Sequence, residues 1–204
     1  MSAPPLTFRK ATPADTPALL ALVKSAYRGE DSRQGWTTEA DFLADERIDE
    51  AGLLGKITAP GSTVLLATTT TTTTTSPPSN APIPGAGAAA AAAETLLACC
   101  EVLRHPPPSD LSYFGLFAVD PRLQNGGIGR RVLAEAERHA RGDMGAARME
   151  MTVVWLREEL IAWYVRRGYA VARGEKRPFP YGSLVNGKAL RDDLYFLVLR
   201  KDLA

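Results

Sequence analysis

The six residues Gln124-Asn125-Gly126-Gly127-Ile128-Gly129 constrain this chain more than any other segment. They follow an apolar run, Leu111 to Val119, that reads as a strand stopped by Asp120-Pro121. They precede apolar residues at Ile128, Val132, Leu133, Ala136 and Ala140, the spacing of one helix face, ended by Gly142. A helix is therefore predicted to start near Gly127. The first N–H groups of a helix have no partners within it, and the helix dipole adds partial positive charge at the same end. Gly126, Gly127 and Gly129 carry no side chains to hold an anion away, and Arg130 and Arg131 add formal charge. Such a strand–turn–helix suits phosphate groups.

The loop does not fit the two commonest phosphate motifs. A P-loop needs G-x-x-x-x-G-K-[ST], and no Lys-Ser or Lys-Thr follows here. A dinucleotide fingerprint starts directly after its strand, whereas this loop begins about five residues past Val119, and Val132 stands at the place of the third glycine.

The rest of the chain alternates helical and strand patterns. Leu6 to Arg9 reads as a short strand. Thr12-Pro13-Ala14-Asp15 reads as a capped helix start, followed by the stripe Leu19, Leu20, Leu22, Val23, Ala26 and Tyr27. Gly29 to Gly35 is a polar break. Thr37 or Thr38 is expected to cap a second helix running through Phe42 and Leu43 to beyond Ile48. Ser62 to Ala67 and Leu96 to Leu103 read as the strands of a hairpin. Its turn is enlarged by residues 68–93, a threonine tract followed by Pro, Ser, Gly and polyalanine. That segment has little apolar bulk to offset its ordering entropy, which predicts a disordered insertion. Loop closure tolerates it because the entropy cost grows only logarithmically with length. Beyond the glycine loop, Arg148 to Trp155 reads as a strand. Glu158 to Arg167 reads as a helix with Leu160, Ile161, Tyr164 and Val165 inward, closed by Gly168. Tyr169 to Ala172 and Leu194 to Leu199 read as the last strands. Interspersed helices and hairpins predict one α/β domain over residues 1–204.

The glycine loop, its flanks (L-F-A-V-D-P-R-L-Q-N-G-G-I-G-R-R-V-L) and the downstream block A-W-Y-V-R-R-G-Y at Ala162 to Tyr169 resemble the GNAT superfamily of N-acetyltransferases. The family signature [Q/R]-x-x-G-x-[G/A] matches Gln124 to Gly129 without a gap. The resemblance covers most of the chain apart from the insertion. It implies a single-domain GNAT fold, a mixed, mostly antiparallel sheet flanked by helices, in which the fourth strand (Leu111 to Val119) and the fifth (Arg148 to Trp155) splay apart. It implies acetyl-CoA as co-substrate, with its pyrophosphate on Gln124, Asn125, Gly126, Gly127, Ile128, Gly129 and Arg130. Its pantetheine arm would lie along the main chain of Phe117, Ala118 and Val119. The implied reaction is direct acetyl transfer to a primary amine in a ternary complex, with an N–H near Ala118 or Val119 polarising the thioester carbonyl and Tyr164 as general acid. The general base is harder to place. Where some members carry a glutamate on the fourth strand, this chain has Tyr113, a candidate substrate contact. Glu150 and Glu101 are the candidate bases, and a water relay is the alternative. An asparagine that many members carry near Trp155 is absent.

The acceptor site is expected between the first two helices and the loop before the last strand. There Trp36, Phe179 and Tyr181 are candidate pocket walls, stiffened by Pro178 and Pro180. A small-molecule amine is the expected acceptor. A protein N-terminus or lysine, or a non-catalytic CoA-sensing role, is the alternative. The formal net charge of +1 argues against nucleic acid and membrane partners. No signal peptide or membrane span is legible, and the only two cysteines, Cys99 and Cys100, are adjacent, which predicts no disulfide framework and a cytoplasmic setting. His105 and His139 are isolated, so no metal is expected. A monomer or homodimer is expected.

Overall fold

The computed structural model describes residues 5–71 and 93–203. Nine strands and five helices appear among them. In chain order these are β1 (Thr7–Lys10), α1 (Thr16–Tyr27), α2 (Gly29–Ser32), β2 (Leu43–Ala44), α3 (Glu50–Thr58), β3 (Ser62–Thr71), β4 (Ala93–Arg104) and β5 (Leu111–Val119). They are followed by α4 (Ile128–Gly142), β6 (Arg148–Val154), α5 (Glu158–Val165), β7 (Ala170–Pro178), β8 (Lys188–Ala189) and β9 (Tyr195–Asp202). Seven strands form one sheet in the order β1-β3-β4-β5-β6-β9-β7, and β2 pairs with β8 separately. Every neighbouring pair is antiparallel except β5–β6. The expected mixed, mostly antiparallel sheet flanked by helices is what the chain forms.

Period-two alternation distributes the strand residues to two cores. On one face α1 and α3 bury Leu19, Val23, Ala26 and Leu53 against Val64, Leu66 and Cys99. On the other, α4 and α5 bury Ile128, Val132, Leu133, Ala136, Ala140, Leu160 and Tyr164 against Cys100, Val102, Met151 and Leu199. The five apolar positions read for α4 are all buried. Cys99 and Cys100 point to opposite faces, fully buried and unbridged.

Three expectations about elements are corrected. The helix expected from Thr37 or Thr38 is absent; Phe42 and Leu43 instead enter a small separate core with Val154, Phe179 and Leu194. The helix begins at Glu50, where the Asp49 carboxylate accepts from the Gly52 N–H at 2.7 Å and caps it. Val165 is exposed rather than inward, and Trp163 packs against the core in its place. The hairpin strands run past the expected boundary, so that Thr68, Thr69, Thr70 and Thr71 face Leu96, Thr95, Glu94 and Ala93 across β3 and β4. The rest of the insertion, residues 72–92, lies outside the described residues.

Two local features shape the centre of the sheet. The parallel pairing of β5 with β6 covers Leu111 to Tyr113 against Arg148 to Glu150 and then stops, although both strands continue. The strands diverge from that point. The Tyr113 and Thr152 hydroxyls, 2.7 Å apart, bridge the two strands close to where they part. On its other side β5 carries a bulge: Cys99 faces Ala118 and Glu101 faces Gly115, leaving Leu116 and Phe117 opposite Cys100 alone. Leu116 has φ 47°, the left-handed region a leucine rarely adopts. The extra residue inverts the alternation. Phe114 and Phe117, three apart, lie on the same face with ring centroids 5.2 Å apart, while Leu116 turns to the α1 side.

Candidate active site

The diverging strands open a cleft of about 340 Å³. Gly115 to Phe117 of β5 line one wall and Met151 to Val154 of β6 the other. The glycine loop and the start of α4 lie at one end, with Asn125, Gly127, Gly129 and Arg130 facing in. Tyr27, Glu39, Arg47, Tyr113 and Arg157 line the rest, together with Tyr164 and Trp163 of α5.

The loop end is built for an anion. Asn125 at φ 68° and Gly127 at φ 81° turn the chain so that α4 starts at Ile128 with its free N–H groups toward the cleft. A Cβ added at Gly127 would meet nothing within 4 Å, so open space lies in front of it. At Gly129 an added Cβ would come 3.2 Å from the Phe117 ring, so the cleft floor there leaves no room for a side chain. The Arg167 guanidinium lies 3.5 Å over the Trp163 ring and donates to the Trp163 carbonyl at 2.6 Å. Burial and the neighbouring Arg166 and Arg130 push its pKa down, the mark of crowded positive charge. Among the described residues, four arginines and a single carboxylate line the cleft.

Gln124, read as part of the anion cradle, lines the cleft and also holds two segments together. Its Oε1 accepts from the Trp36 N–H at 3.0 Å, and its Nε2 donates to the Val119 carbonyl at 3.3 Å. It ties the segment around Trp36 to the end of β5. A Cβ at Gly35 would sit 2.5 Å from Gln124 Oε1, so only glycine admits this contact. Gly126 and Ile128 do not line the cleft, and the Ile128 side chain is core. Ala118 is paired opposite Cys99 and its side chain packs toward α1, so the residues left out of the strand register are Leu116 and Phe117 instead. The Phe117 carbonyl accepts a 2.8 Å bond from the Tyr27 hydroxyl.

Of the catalytic candidates, Tyr164 is in the cleft and Glu150 is not. Tyr164 is buried among Phe114, Trp163 and Tyr169, and burial pushes its phenol well above the usual range, so it stays protonated. Its hydroxyl has no hydrogen-bond partner among the described residues. Glu150 is wholly buried and ion-paired to both Arg177 and Arg200. With both oxygens held on the far side of β6, it acts as a clamp between strands rather than a base. Glu101 is also buried and paired, to Lys56 at 2.6 Å, and does not line the cleft.

The acceptor candidates divide. Trp36 and Tyr113 line the cleft. Phe179 is buried in the separate core, and Tyr181 meets its ring edge-on from an exposed position, its hydroxyl accepting from the Leu194 N–H at 2.7 Å; neither lines the cleft. At the cleft stand Glu39, which ends the segment around Trp36, and Tyr27, Arg47 and Arg157, which sequence reading did not assign to it. Glu39 is buried between Arg28 and Arg157, at 2.6 and 2.7 Å. Burial alone would raise its pKa, but Arg157, Arg28 and Arg47 together hold it below its usual value. These residues come from four separate stretches of chain, so no spacing could announce them. Among the described residues no group of His, Cys, Asp or Glu is placed to hold a metal, and no helix is long and apolar enough to cross a membrane.

Comparison with known proteins agrees with this fold. Residues 73–169 match the model of the acetyltransferase (GNAT) family. No curated protein matches the chain closely in sequence. Among solved structures, a PaiA N-acetyltransferase from Thermoplasma acidophilum in complex with coenzyme A is 15% identical, with TM-score 0.62 over 97% of this chain and 99% of that one. The ribosomal-protein-S18-alanine N-acetyltransferase from Escherichia coli is 14% identical, with TM-score 0.61 over 98% and 95%. A spermidine N-acetyltransferase chimera from Vibrio cholerae and hSSAT is 11% identical, with TM-score 0.62 over 97% and 95%. At these identities the likeness is one of fold.

Proposed function

The chain belongs to the GNAT family of acetyltransferases, and from that premise we propose that it moves an acetyl group from acetyl-CoA to the primary amine of a small molecule, by direct transfer in the cleft between β5 and β6. The observation that carries this reading is the continuous cleft, with an anion cradle at one end and a protonated, unpaired tyrosine beside the diverging strands.

The residues divide the work. The backbone N–H groups of the loop and of the first turn of α4, with Arg130 and Arg167, hold the diphosphate. The bulge leaves Leu116 and Phe117 out of the strand register beside the cleft, where their N–H groups would orient the thioester and stabilise charge developing on its oxygen. The C–N bond forms as the C–S bond breaks. Tyr164 gives its proton to the departing thiolate and regains one from solvent. No uncommitted carboxylate lines the cleft among the described residues, so water at the cleft mouth takes the amine proton. The buried Arg28–Glu39–Arg157 network beside Trp36 supports a confined, small-molecule acceptor end rather than a polypeptide groove.

Thiol release from acetyl-CoA, followed across a panel of primary amines, tests the reading. Amine-dependent release with an acetylated product is expected. Tight CoA binding without turnover on any amine would overturn it in favour of a CoA-binding module.

A further inference from the structure

Arg47 differs from the other charged groups at the acceptor end of the cleft. Its guanidinium lines the cleft and has no hydrogen-bond or ion-pair partner among the described residues. The charges around it are already matched. Glu39 accepts from Arg157 through one oxygen and from Arg28 through the other. Asp45 accepts from the Arg28 side chain at 2.6 Å and from the Arg47 backbone N–H at 3.1 Å. Glu46 is turned toward Lys24 and Asn186. Three guanidinium groups therefore face two fully engaged carboxylates, and the uncompensated positive charge is Arg47.

The side chain is also held in place. The Arg47 backbone is left-handed, at φ 65°, and its guanidinium carbon sits 4.9 Å from the centroid of the Tyr27 ring. That ring carries the hydroxyl bonded to Phe117 at the bulge, so Arg47 lies beside the backbone assigned to the thioester. Burial opposes its charge, but Tyr27, Glu39, Tyr113 and Asp45 together raise its pKa, so it stays a cation. A guanidinium presents a planar fork of donors that matches a carboxylate in two parallel bonds.

Resting on the reading of this cleft as an acetyl-transfer site, we propose that Arg47 anchors a carboxylate of the acceptor, so that the substrate is an amino acid or another amine bearing a carboxylate. A polyamine fits poorly. Its second cation would meet Arg47 with no free carboxylate to offset it. A phosphate dianion calls for a second uncommitted cation, which Arg28 and Arg157 do not supply.

Matched substrates test this with the full chain: an amino acid, its amide, the corresponding decarboxylated amine, and spermidine. The expected kcat/KM for the amino acid exceeds those of its amide and its decarboxylated amine by about tenfold to a hundredfold, mainly through KM. Equal or better turnover of the carboxylate-free or polycationic amines overturns the proposal. Arg47→Asn, which suits the left-handed backbone, is expected to erase the preference while CoA affinity measured by calorimetry is retained. A preference that survives Arg47→Asn also overturns it. If that variant loses CoA binding through misfolding, Arg47→Lys is read instead, and an undiminished preference counts against the fork. Turnover without carboxylate preference defeats the role of Arg47 alone. No turnover on any amine, with CoA bound, defeats the transferase reading and this assignment with it.

Discussion

The Tyr27 hydroxyl donates a 2.8 Å hydrogen bond to the Phe117 carbonyl, joining the last residue of α1 to the bulge in β5. Tyr27 is buried, and its ring also faces Arg47, Arg28 and Arg157. One side chain thus connects the bulged backbone to the charged acceptor end.

Tyr27→Phe removes that bond and little else. A neutral hydrogen bond contributes about 1 kcal/mol, so Tm is expected to fall by about 2–4 °C in a chain of this size. The rate of acetyl transfer should fall as well, because the bulge loses its tether. Calorimetry and a thiol-release assay read both; an unchanged Tm and an unchanged rate would mean that the bulge is held without Tyr27.

Tyr164→Phe should leave CoA affinity intact and lower kcat by about 10²-fold or more if the phenol is the proton donor. Because burial raises its pKa, no loss of rate from Tyr164 ionisation is expected as pH rises to 10. A rate equal to wild type removes Tyr164 from the chemistry.

How much of this was legible in sequence depends on how local the signal was. The glycine loop and α4 are local: a strand stop, glycines and a helical stripe occur within one stretch, and the structure assembles them as read. The helix at Glu50–Thr58 was missed because Gly52 and Gly55 weaken its pattern, while the apolar pair Phe42-Leu43 suggested a helix earlier. The bulge had a signal, a glycine inside the strand pattern at Gly115, next to Leu116. Phe179 and Tyr181 show the limit of composition: aromatics beside prolines suit a pocket wall or a core equally, and packing against Phe42 and Leu194 puts Phe179 in the core while Tyr181 stays exposed beside it. Arg47, Glu39 and Arg157 converge only in three dimensions.

Glu150→Gln separates a structural clamp from a base. Removing the charge from a fully buried carboxylate breaks its pairing with Arg177 and Arg200, although both arginines are partly exposed and can rehydrate. The expected cost is about 2–3 kcal/mol of stability, with kcat nearly unchanged. A large loss of kcat at constant Tm would restore Glu150 as a catalytic group.

The paired cysteines predict a pH effect on stability. Burial pushes the Cys99 thiol up to about 12 and Cys100 well above its ordinary value. Native thiols thus hold their protons while unfolded ones begin to lose them near pH 9. Stability from this source is complete below pH 9 and declines as pH rises toward 12, by about 1.4 kcal/mol per unit for each thiol. Urea unfolding at several alkaline pH values measures the slope, and Cys99→Ala should reduce it. The folded protein should also resist thiol reagents at pH 8; rapid labelling without denaturant would contradict the burial.

The central claim is that the cleft between β5 and β6 takes CoA with its diphosphate against the start of α4. Calorimetric titration of CoA into the wild-type chain and into Arg130→Glu tests it most directly. Arg130 is exposed, so the charge reversal spares the core while placing a negative charge at the cradle. The account predicts one site per chain in the wild type and affinity weakened by about tenfold or more in the variant, at nearly unchanged Tm. Absence of CoA binding, or equal affinity in both proteins, would contradict it.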